Sequence, residues 1–492
     1  MRVVPLRTAE QYQASLRDGR TVFYRGQRVE DVTAHPALRT AVEHAGIDYR
    51  MAESADEEVR TMAVVHDEQS GEAFSRYFAL PRGTADLMTR SRLIETATRL
   101  GGTLVVLIKE IGTDALFALH LVGQALAEGK GGVTANPAYL ERVQRFYQHC
   151  RDGDLAMAVA QTDVKGDRAL GPAEQPDAYL RVVERRAGGI VVRGAKAHTS
   201  VSVNANELIV LPTRAMRAED RDAAVAFAVP VATPGLTLVV SPFGDGEMRA
   251  FEHPISARHK MLETLTIFDD VFVPNERVFL DGEWPAAGVL AHTFVQFHRF
   301  TAVSYKLALV DALVGAAAWL AELNGLGRVG HIRDKLTWLI AYAETLRALT
   351  AQAAAQCDTG NAFGLAVPNT LLTNIAKLHF ASHYHAAVAR VQEIAGGLVV
   401  TAPGTEDWEH AELGPMLRRY LRGQRDADAE QRVRAMHLVQ DLTASDYGGY
   451  QEVLAIHAEG SIEAERLAIG REYDLRAARA YAQRLAGLDA SE

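Results

Sequence analysis

The stretch DLAMAVAQTDVKGDR (Asp154–Arg168), followed after a polar connection by YLRVVERRAGGIVVRGAKAHTS (Tyr179–Ser200), decides how the rest of the chain is read. The first piece alternates small apolar residues and then breaks into Gln161-Thr162-Asp163, with Lys165-Gly166-Asp167-Arg168 behind it. The second is β-rich, turns at Ala187-Gly188-Gly189 and ends in Lys196-Ala197-His198-Thr199. Short β-rich runs bounded by glycine and acid–amide clusters predict strands. Two strand ends therefore deliver amide, hydroxyl, carboxylate and cationic groups, beside glycine that lets backbone approach a ligand closely. The chemistry implied is a flat cofactor with a polar edge lying against these strand ends.

Outward from this stretch the period changes on both sides. Before it, Thr8 to Leu16 predicts a short helix, Thr21–Val29 a small hairpin with an Arg-Gly turn, and the region around Pro36–His44 another short helix. Thr84 to His149 reads as helical nearly throughout, with one break at Pro137, and Leu104–Leu126 as a helix buried on most faces. After it, Leu208–Leu211, Ala224–Val231, Leu236–Val240, Leu265–Phe268 and Asp269–Pro274 are short β-branched runs, which predict a barrel or sandwich. From about Val289 the 3.6 period returns, with helices expected at His292–Asn324, His331–Cys357, Pro368–Ala395, Asp428–Thr443 and after Gly460, packed as an antiparallel bundle. The expected segments are 1–150 mainly helical, 151–285 β and 286–492 helical.

The 492 residues exceed one core, and 48% hydrophobic with 23% charged residues is a globular composition. A balance of 52 basic against 62 acidic residues argues against a nucleic-acid footprint. Cys150 and Cys357 are the only cysteines, too few for a disulfide framework or a four-thiolate metal site, and point to a reducing cytoplasm. The N-terminal MRVVPLRTAEQYQASLRDGR has no apolar core of a secretory signal, and no uninterrupted apolar run is expected to span a membrane.

Several longer motifs carry a resemblance. SLRDGRTVFYRGQRVEDVTAHPALR (Ser15–Arg39), TDVKGDR (Thr162–Arg168), VVRGAKAHTS (Val191–Ser200) and TIFDDVFVPNERVFLDGE (Thr266–Glu283) resemble the large subunit of the 4-hydroxyphenylacetate 3-hydroxylase family. So do EIAGGLVVTAPGTEDW (Glu393–Trp408), GPMLRRYLRG (Gly414–Gly423) and DLTASDYGGYQE (Asp441–Glu452), in the same order. The resemblance implies an α+β multidomain chain of acyl-CoA dehydrogenase-like fold: N-terminal helical domain, central β-barrel or sandwich, C-terminal antiparallel helical bundle. It also implies FAD between the β domain and the bundle, and a homotetramer. The FAD contacts carried over are Gln161, Thr162, Asp163, Lys165, Gly166, Asp167, Arg168 and Thr199, with Thr443, Ser445, Asp446 and Tyr447 closing over the flavin. Hydrogen-bonding groups suit a flavin edge, and cations suit its diphosphate.

The family has two branches, and this sequence departs from both. The dehydratase–isomerase branch adds an iron–sulfur cluster held by three thiolates and a histidine, one histidine–thiolate pair lying seven residues apart on one helix. His298 matches the histidine, but Tyr305 stands where the thiolate is needed, and Thr84 to His149 contains no cysteine before Cys150. No iron–sulfur cluster is expected. The phenol-hydroxylase branch takes reduced FAD from a separate flavin reductase and carries a Gly-Arg-x-Pro-Asp-Tyr-like segment. Here Glu110-Ile111-Gly112-Thr113-Asp114-Ala115 lacks its Arg and Tyr, and Val159 occupies the place of a further histidine. A buried phenolate wants a cationic or hydrogen-bonding partner, so the substrate expected is small, non-phenolic or atypical, free or bound to CoA or a carrier.

The resulting expectation is an FAD-dependent two-component monooxygenase using reduced FAD and O2 by way of a C4a-hydroperoxyflavin. The alternatives are a clusterless, redox-neutral dehydratase or isomerase on an acyl thioester, and a non-catalytic family member. His298, Arg299 and Tyr305 are the candidate catalytic residues, and His298 has the bland alternative of an inherited histidine packed in the bundle. Lys306 reads equally as site lining or as a solvated or salt-bridged residue. Asp163, Asp167 and Arg168 read either as cofactor support or as an ion-pair knot beneath a turn. Three features are set aside: Glu128–Thr134 lacks the full phosphate-loop pattern, His379 and His383 lack the glutamate of a zinc helix, and Cys150 is a lone thiol.

Overall fold

The computed structural model describes residues 6–67, 70–244 and 248–488. Residues 1–5 of the N-terminal stretch and 489–492 of the last segment lie outside the described residues. The first part of the chain holds α1 (Ala9–Ser15), the hairpin β1 (Thr21–Tyr24) and β2 (Gln27–Val29), α2 (Arg39–Ala45), α3 (Ile47–Arg50), α4 (Glu57–Ala63), β3 (Val64–His66) and β4 (Ala73–Ser75). Three longer helices follow, α5 (Thr84–Leu100), α6 (Glu110–Ala127) and α7 (Pro137–Asp152). Pro137 opens α7 beside the Asn136 cap, where its missing N–H costs nothing. The buried segment is helical only from Glu110, not from Leu104: Thr103 (φ 81°) and Leu107 (φ 69°) are left-handed, and the chain kinks through 101–109 before α6 starts.

The β layer contains β5 (Met157–Ala160), β6 (Arg181–Arg186), β7 (Gly189–Lys196), β8 (Glu207–Val210), β9 (Val225–Pro230), β10 (Leu236–Val240), β11 (Thr264–Pro274) and β12 (Val278–Asp281). These form two sheets rather than a closed barrel, in the orders β2-β1-β10-β11-β7-β6 and β12-β9-β8-β5. Phe227 of β9 and Phe268 of β11 meet edge to face between the sheets, ring centroids 5.9 Å apart. The N-terminal hairpin joins the larger sheet, β1 running parallel to β10 with Thr21 opposite Thr237, so that sheet draws on chain from both sides of residue 150. The two runs expected at 265–268 and 269–274 are one strand, β11, interrupted by a register shift between Phe268 and Val271 where Asp270 is left-handed (φ 52°).

The rest is helical: α8 (Trp284–Leu323), α9 (Gly330–Ala355), α10 (Thr370–Ala395), α11 (Thr405–Glu409), α12 (Leu413–Tyr420), α13 (Ala429–Thr443), α14 (Asp446–His457), α15 (Ile462–Glu472) and α16 (Leu475–Leu485). By length and composition α8 alone among the described residues is long and apolar enough to cross a membrane, with a window of mean hydropathy 1.4, although Arg299, Lys306 and Asp311 interrupt its apolar run. Yet 61% of that window is buried, and α8 packs against α5, α6, α9, α10 and α13. Its apolarity is that of a helix surrounded by other helices. The features set aside behave structurally: residues 128–136 join α6 to α7, and His379 and His383 lie tilted against the Tyr342 ring. Cys150 is fully buried, with its thiol pushed up by burial.

Candidate functional site

β5 ends at Ala160, and the loop after it is clamped to the end of β7 from its first residue. Lys196 directs its ammonium at three acceptors, Gln161 O (2.9 Å), Leu211 O (3.0 Å) and Asp163 Oδ1 (2.9 Å), which matches its three protons. Asp163 Oδ1 also accepts from Leu180 N (2.9 Å), Oδ2 accepts from Thr213 Oγ1, and Ala197 N donates to Thr162 O (2.8 Å). Asp163 and Lys196 are each 2% exposed. The Asp163 carboxylate is thus occupied within the protein, in the knot that positions the loop. Removing one member of a buried pair costs about 3–5 kcal/mol. Lys196→Met is accordingly expected to lower the unfolding free energy from urea titration by an amount in that range, near its lower end because Leu180 N and Thr213 still serve Asp163.

Beyond the knot the loop turns through Lys165 (φ 71°) and Gly166 (φ 45°), pinned by Gln175, whose amide bonds Lys165 O, Asp167 O and Leu170 O. A side chain at Gly166 would strike Gln175 Oε1 at 2.3 Å. Asp167 caps Ala169 N locally and is exposed, as is Arg168. Lys165 is half-buried, and burial and then the neighbouring charges of Arg168, Lys196 and Arg214 lower its pKa. Among the described residues Lys165, Arg168 and Arg214 form no ion pair, so this corner has cationic charge to offer an anion. Gln161 reaches Ala291 O on α8 at 3.5 Å. Thr199 lies where the chain leaves β7; it is fully buried, and its Oγ1 has no hydrogen-bond partner among the described residues. An orphaned buried hydroxyl is unfavourable unless something completes it.

The α13–α14 junction forms a wall more than a set of donors. Thr443 Oγ1 bonds Val439 O, and Ser445 Oγ caps α14 by accepting from Tyr447 N and Gly448 N. Asp446 is exposed in the first turn of α14. Tyr447 is buried and tied through its hydroxyl to Thr103 (2.8 Å) and Gln451 (2.8 Å), which joins α14 to the kinked 101–109 segment. Gly448 permits this approach, since a Cβ there would meet the Thr443 carbonyl carbon at 2.7 Å.

On α8 one candidate residue meets Asp114 of α6 and the other two meet Glu459. His298 places Nδ1 3.3 Å from Asp114 Oδ2 and stacks on Phe294. Arg299 bonds Glu459 O (2.9 Å) and Asn374 Oδ1, and passes so close to Gly460 that a Cβ there would lie 2.4 Å from its Nη2. Tyr305 donates to Glu459 Oε1, while Lys306 bonds Glu459 Oε2 (3.0 Å) and Tyr305 Oη (3.0 Å). Lys377 on α10 lies 3.8 Å from the same Oε2 and 3.2 Å from Glu465. Burial acts to raise the Glu459 pKa, but Lys306 and Lys377 outweigh it and hold the carboxyl at about 2. Burial lowers Lys306 to about 8, with Glu459 opposing. Lys306 is therefore a buried, paired lysine and not a solvated one.

Sequence reasoning passed over Asp114, Arg90, Lys377 and Glu459. Glu459 lies in the HAEGS run (His457–Ser461), where its left-handed φ of 56° was invisible, and Asp114 is the one residue of the family's Gly-Arg-x-Pro-Asp-Tyr pattern present in 110–115. Glu263 is another: its carboxyl, raised by burial, accepts from Ser200 Oγ (2.9 Å) and Tyr450 Oη (2.7 Å). Among the described residues no three His, Cys, Asp or Glu side chains are grouped so as to hold a metal ion.

Residues 8–280 match the profile of the 4-hydroxyphenylacetate 3-hydroxylase N-terminal region, and residues 287–487 that of its C-terminal region. The chain belongs to the 4-hydroxyphenylacetate 3-hydroxylase family. Within that family it is 31% identical to the 4-hydroxybutyryl-CoA dehydratase/vinylacetyl-CoA Δ-isomerase of Clostridium aminobutyricum, over 98% of this chain and 100% of the relative. It is 32% identical to the 4-hydroxyphenylacetate 3-monooxygenase oxygenase component of Thermus thermophilus, over 88% of this chain and 87% of the relative. Among solved structures, an oxygen-tolerant 4-hydroxybutyryl-CoA dehydratase from N. maritimus superposes with a TM-score of 0.90 at 29% identity, covering 99% and 97% of the two chains. The oxygenase component of a 4-hydroxyphenylacetate 3-monooxygenase complexed with FAD gives 0.87 at 28%, covering 98% of each.

Proposed function

We propose that the protein is an FAD-dependent oxidoreductase of acyl-CoA dehydrogenase-like layout, working as the oxygenase of a two-component monooxygenase that receives reduced FAD from a separate flavin reductase. The observation that carries this reading is the surrounding of Tyr305. The side chain seven residues after His298 is a phenol bonded to Glu459 and Lys306, and the chain's two cysteines cannot supply three thiolates. Cluster chemistry of the dehydratase kind has no ligand set in this sequence, which leaves the flavin as the redox group. When bound, reduced FAD supplies the electrons that activate O2.

The residues present fit that cofactor. The unpartnered Oγ1 of Thr199 and the half-buried amide of Gln161 suit the polar edge of a flavin, and Lys165, Arg168 and Arg214 suit its diphosphate. Asp163, Thr162 and Gly166 shape the loop, and Thr443 to Tyr447 form the facing wall. Thr199→Val exchanges an unpaired hydroxyl for a methyl, so thermal melts of the FAD-free protein are expected to change little. FAD affinity by fluorescence titration is expected to fall roughly five- to tenfold, the worth of one hydrogen bond. On the substrate side Val159 is buried and apolar, and with Ala115 and Ile111 it offers no phenolate partner, which favours a small non-phenolic or atypical substrate, free or carried on CoA or a carrier protein. α16 has no buried residue and exposes Leu475, Tyr481 and Leu485, in keeping with a homotetramer in which other copies cover it. We place the enzyme in the cytoplasm.

The test is oxygen incorporation. With a flavin reductase, NADH and FAD, turnover of a substrate drawn from phenols, small acids and acyl thioesters should place one atom of 18O2 in the product. Turnover under strict anoxia with no reductase supports instead the redox-neutral dehydratase or isomerase reading, which the full-length match to a dehydratase and the retained His298 favour. Failure to bind oxidised or reduced FAD points to a non-catalytic member.

A further inference from the structure

Asp114 on α6 is fully buried, and three groups converge on its carboxylate. Arg90 Nη2 (2.8 Å) and Thr301 Oγ1 (3.0 Å) both donate to Oδ1. Oδ2 faces Nδ1 of His298 at 3.3 Å. An ionised carboxylate only accepts, so Nδ1 carries a proton, and a neutral imidazole with Nδ1–H has its lone pair on Nε2. Among the described residues the one hydrogen bond of the His298 ring is that at Nδ1. Phe294, stacked at 5.2 Å and 13°, holds the plane of the ring. The other end of the chain is equally fixed: Arg90 also donates to Tyr77 O (3.2 Å), Glu110 O (3.1 Å) and Thr113 Oγ1 (2.8 Å), which holds the guanidinium and with it the plane of the Asp114 carboxylate.

Taking His298, one of the three candidate catalytic residues, as an acid or base of the proposed oxidoreductase, we propose that Asp114 is its positioning residue. It fixes the Nδ1–H tautomer and leaves Nε2 as the single atom of His298 that takes a proton from the substrate side and returns it. Arg90 and Thr301 give the carboxylate its direction, and the dyad joins the α6 helix of the N-terminal part to α8 of the bundle.

The bond directions make a sharp variant available. In Asp114→Asn the two donors to Oδ1 select the amide oxygen for that place, so the amide NH2 faces Nδ1. Nδ1 must then accept, and the proton moves to Nε2: the shape is kept and the tautomer reversed. The readout that a merely structural role would not move is the nucleophilicity of His298, followed as diethyl pyrocarbonate carbethoxylation of its peptide by mass spectrometry. The full-length, FAD-loaded protein is used at one fixed pH. Asp114→Asn is expected to slow modification of His298 at least tenfold, with the other histidines reacting as in the wild type. On the order of a 10²- to 10⁴-fold loss of kcat at nearly constant KM is expected, as for other misoriented histidines. Arg90 loses its charge partner in that variant, so Arg90→Gln/Asp114→Asn, which removes the buried cation together with the carboxylate, is the second arm and is expected to show the same slowing. Wild-type reactivity of His298 in either folded variant overturns the proposal. Slowed modification with unchanged turnover leaves the dyad in place and overturns instead the reading of His298 as the acid–base group.

Discussion

Glu459→Gln is expected to destabilise the protein by about 3–5 kcal/mol, because it strips the carboxylate from two buried ammonium groups at once. Lys306 and Lys377 are 3% and 0% exposed, and neither can turn to water without opening the bundle. Glutamine preserves the side-chain length and an acceptor for Tyr305, so the loss isolates charge from shape. The same group sets an acid limb. Its folded pKa of about 2 lies below the ordinary 4.5, so the stability from its ionisation is fully present above about pH 4.5 and is lost as pH falls toward 2. Melting temperatures taken between pH 7 and 3 should drop more steeply for the wild type than for Glu459→Gln. Equal slopes would show that Glu459 is not held ionised by its lysines.

Removing the imidazole itself should have the second large effect. His298→Gln is expected to lower kcat by about 10²- to 10⁴-fold, the range of a positioned general acid or base. FAD affinity should stay within about twofold, since His298 bonds Asp114 and none of the loop 161–168 or Thr199. Parallel loss of turnover and of FAD binding would mean that the variant damages the bundle, not the chemistry. A kcat within threefold of the wild type would return His298 to the role of a packed core histidine.

Most of the architecture was legible because its signals are local. The alternation at 154–160, the turn at 187–189 and the 3.6 period after 289 lie within single elements, where side-chain direction follows from spacing. Two features escaped for the same reason: the pairing of the N-terminal hairpin with β10 and the bulge inside β11 depend on partners more than two hundred residues away or on one left-handed residue. The candidate site divides likewise. Gln161 to Arg168 could be quoted from the sequence as a cofactor loop, yet which of its side chains the fold already occupies could not. Asp163 is fully engaged by Lys196, and that contact spans two strands. Asp114 and Glu459 were hidden more completely, since each acquires meaning only when α6 or the α14–α15 turn meets α8. Residue type pointed to the cofactor; only three-dimensional packing brought Asp114 to His298 and Glu459 to Lys306.

The central claim, that this protein governs the reaction of reduced FAD with oxygen, is tested most directly by rapid mixing. Protein loaded anaerobically with reduced FAD is mixed with oxygenated buffer, and flavin absorbance is followed with and without free FAD as the control. Bound flavin is expected to reoxidise with a rate and time course distinct from those of free reduced FAD, as enclosure at the proposed site by Thr199, the 161–168 loop and the α13–α14 wall would produce. Reoxidation indistinguishable from flavin in free solution would contradict it.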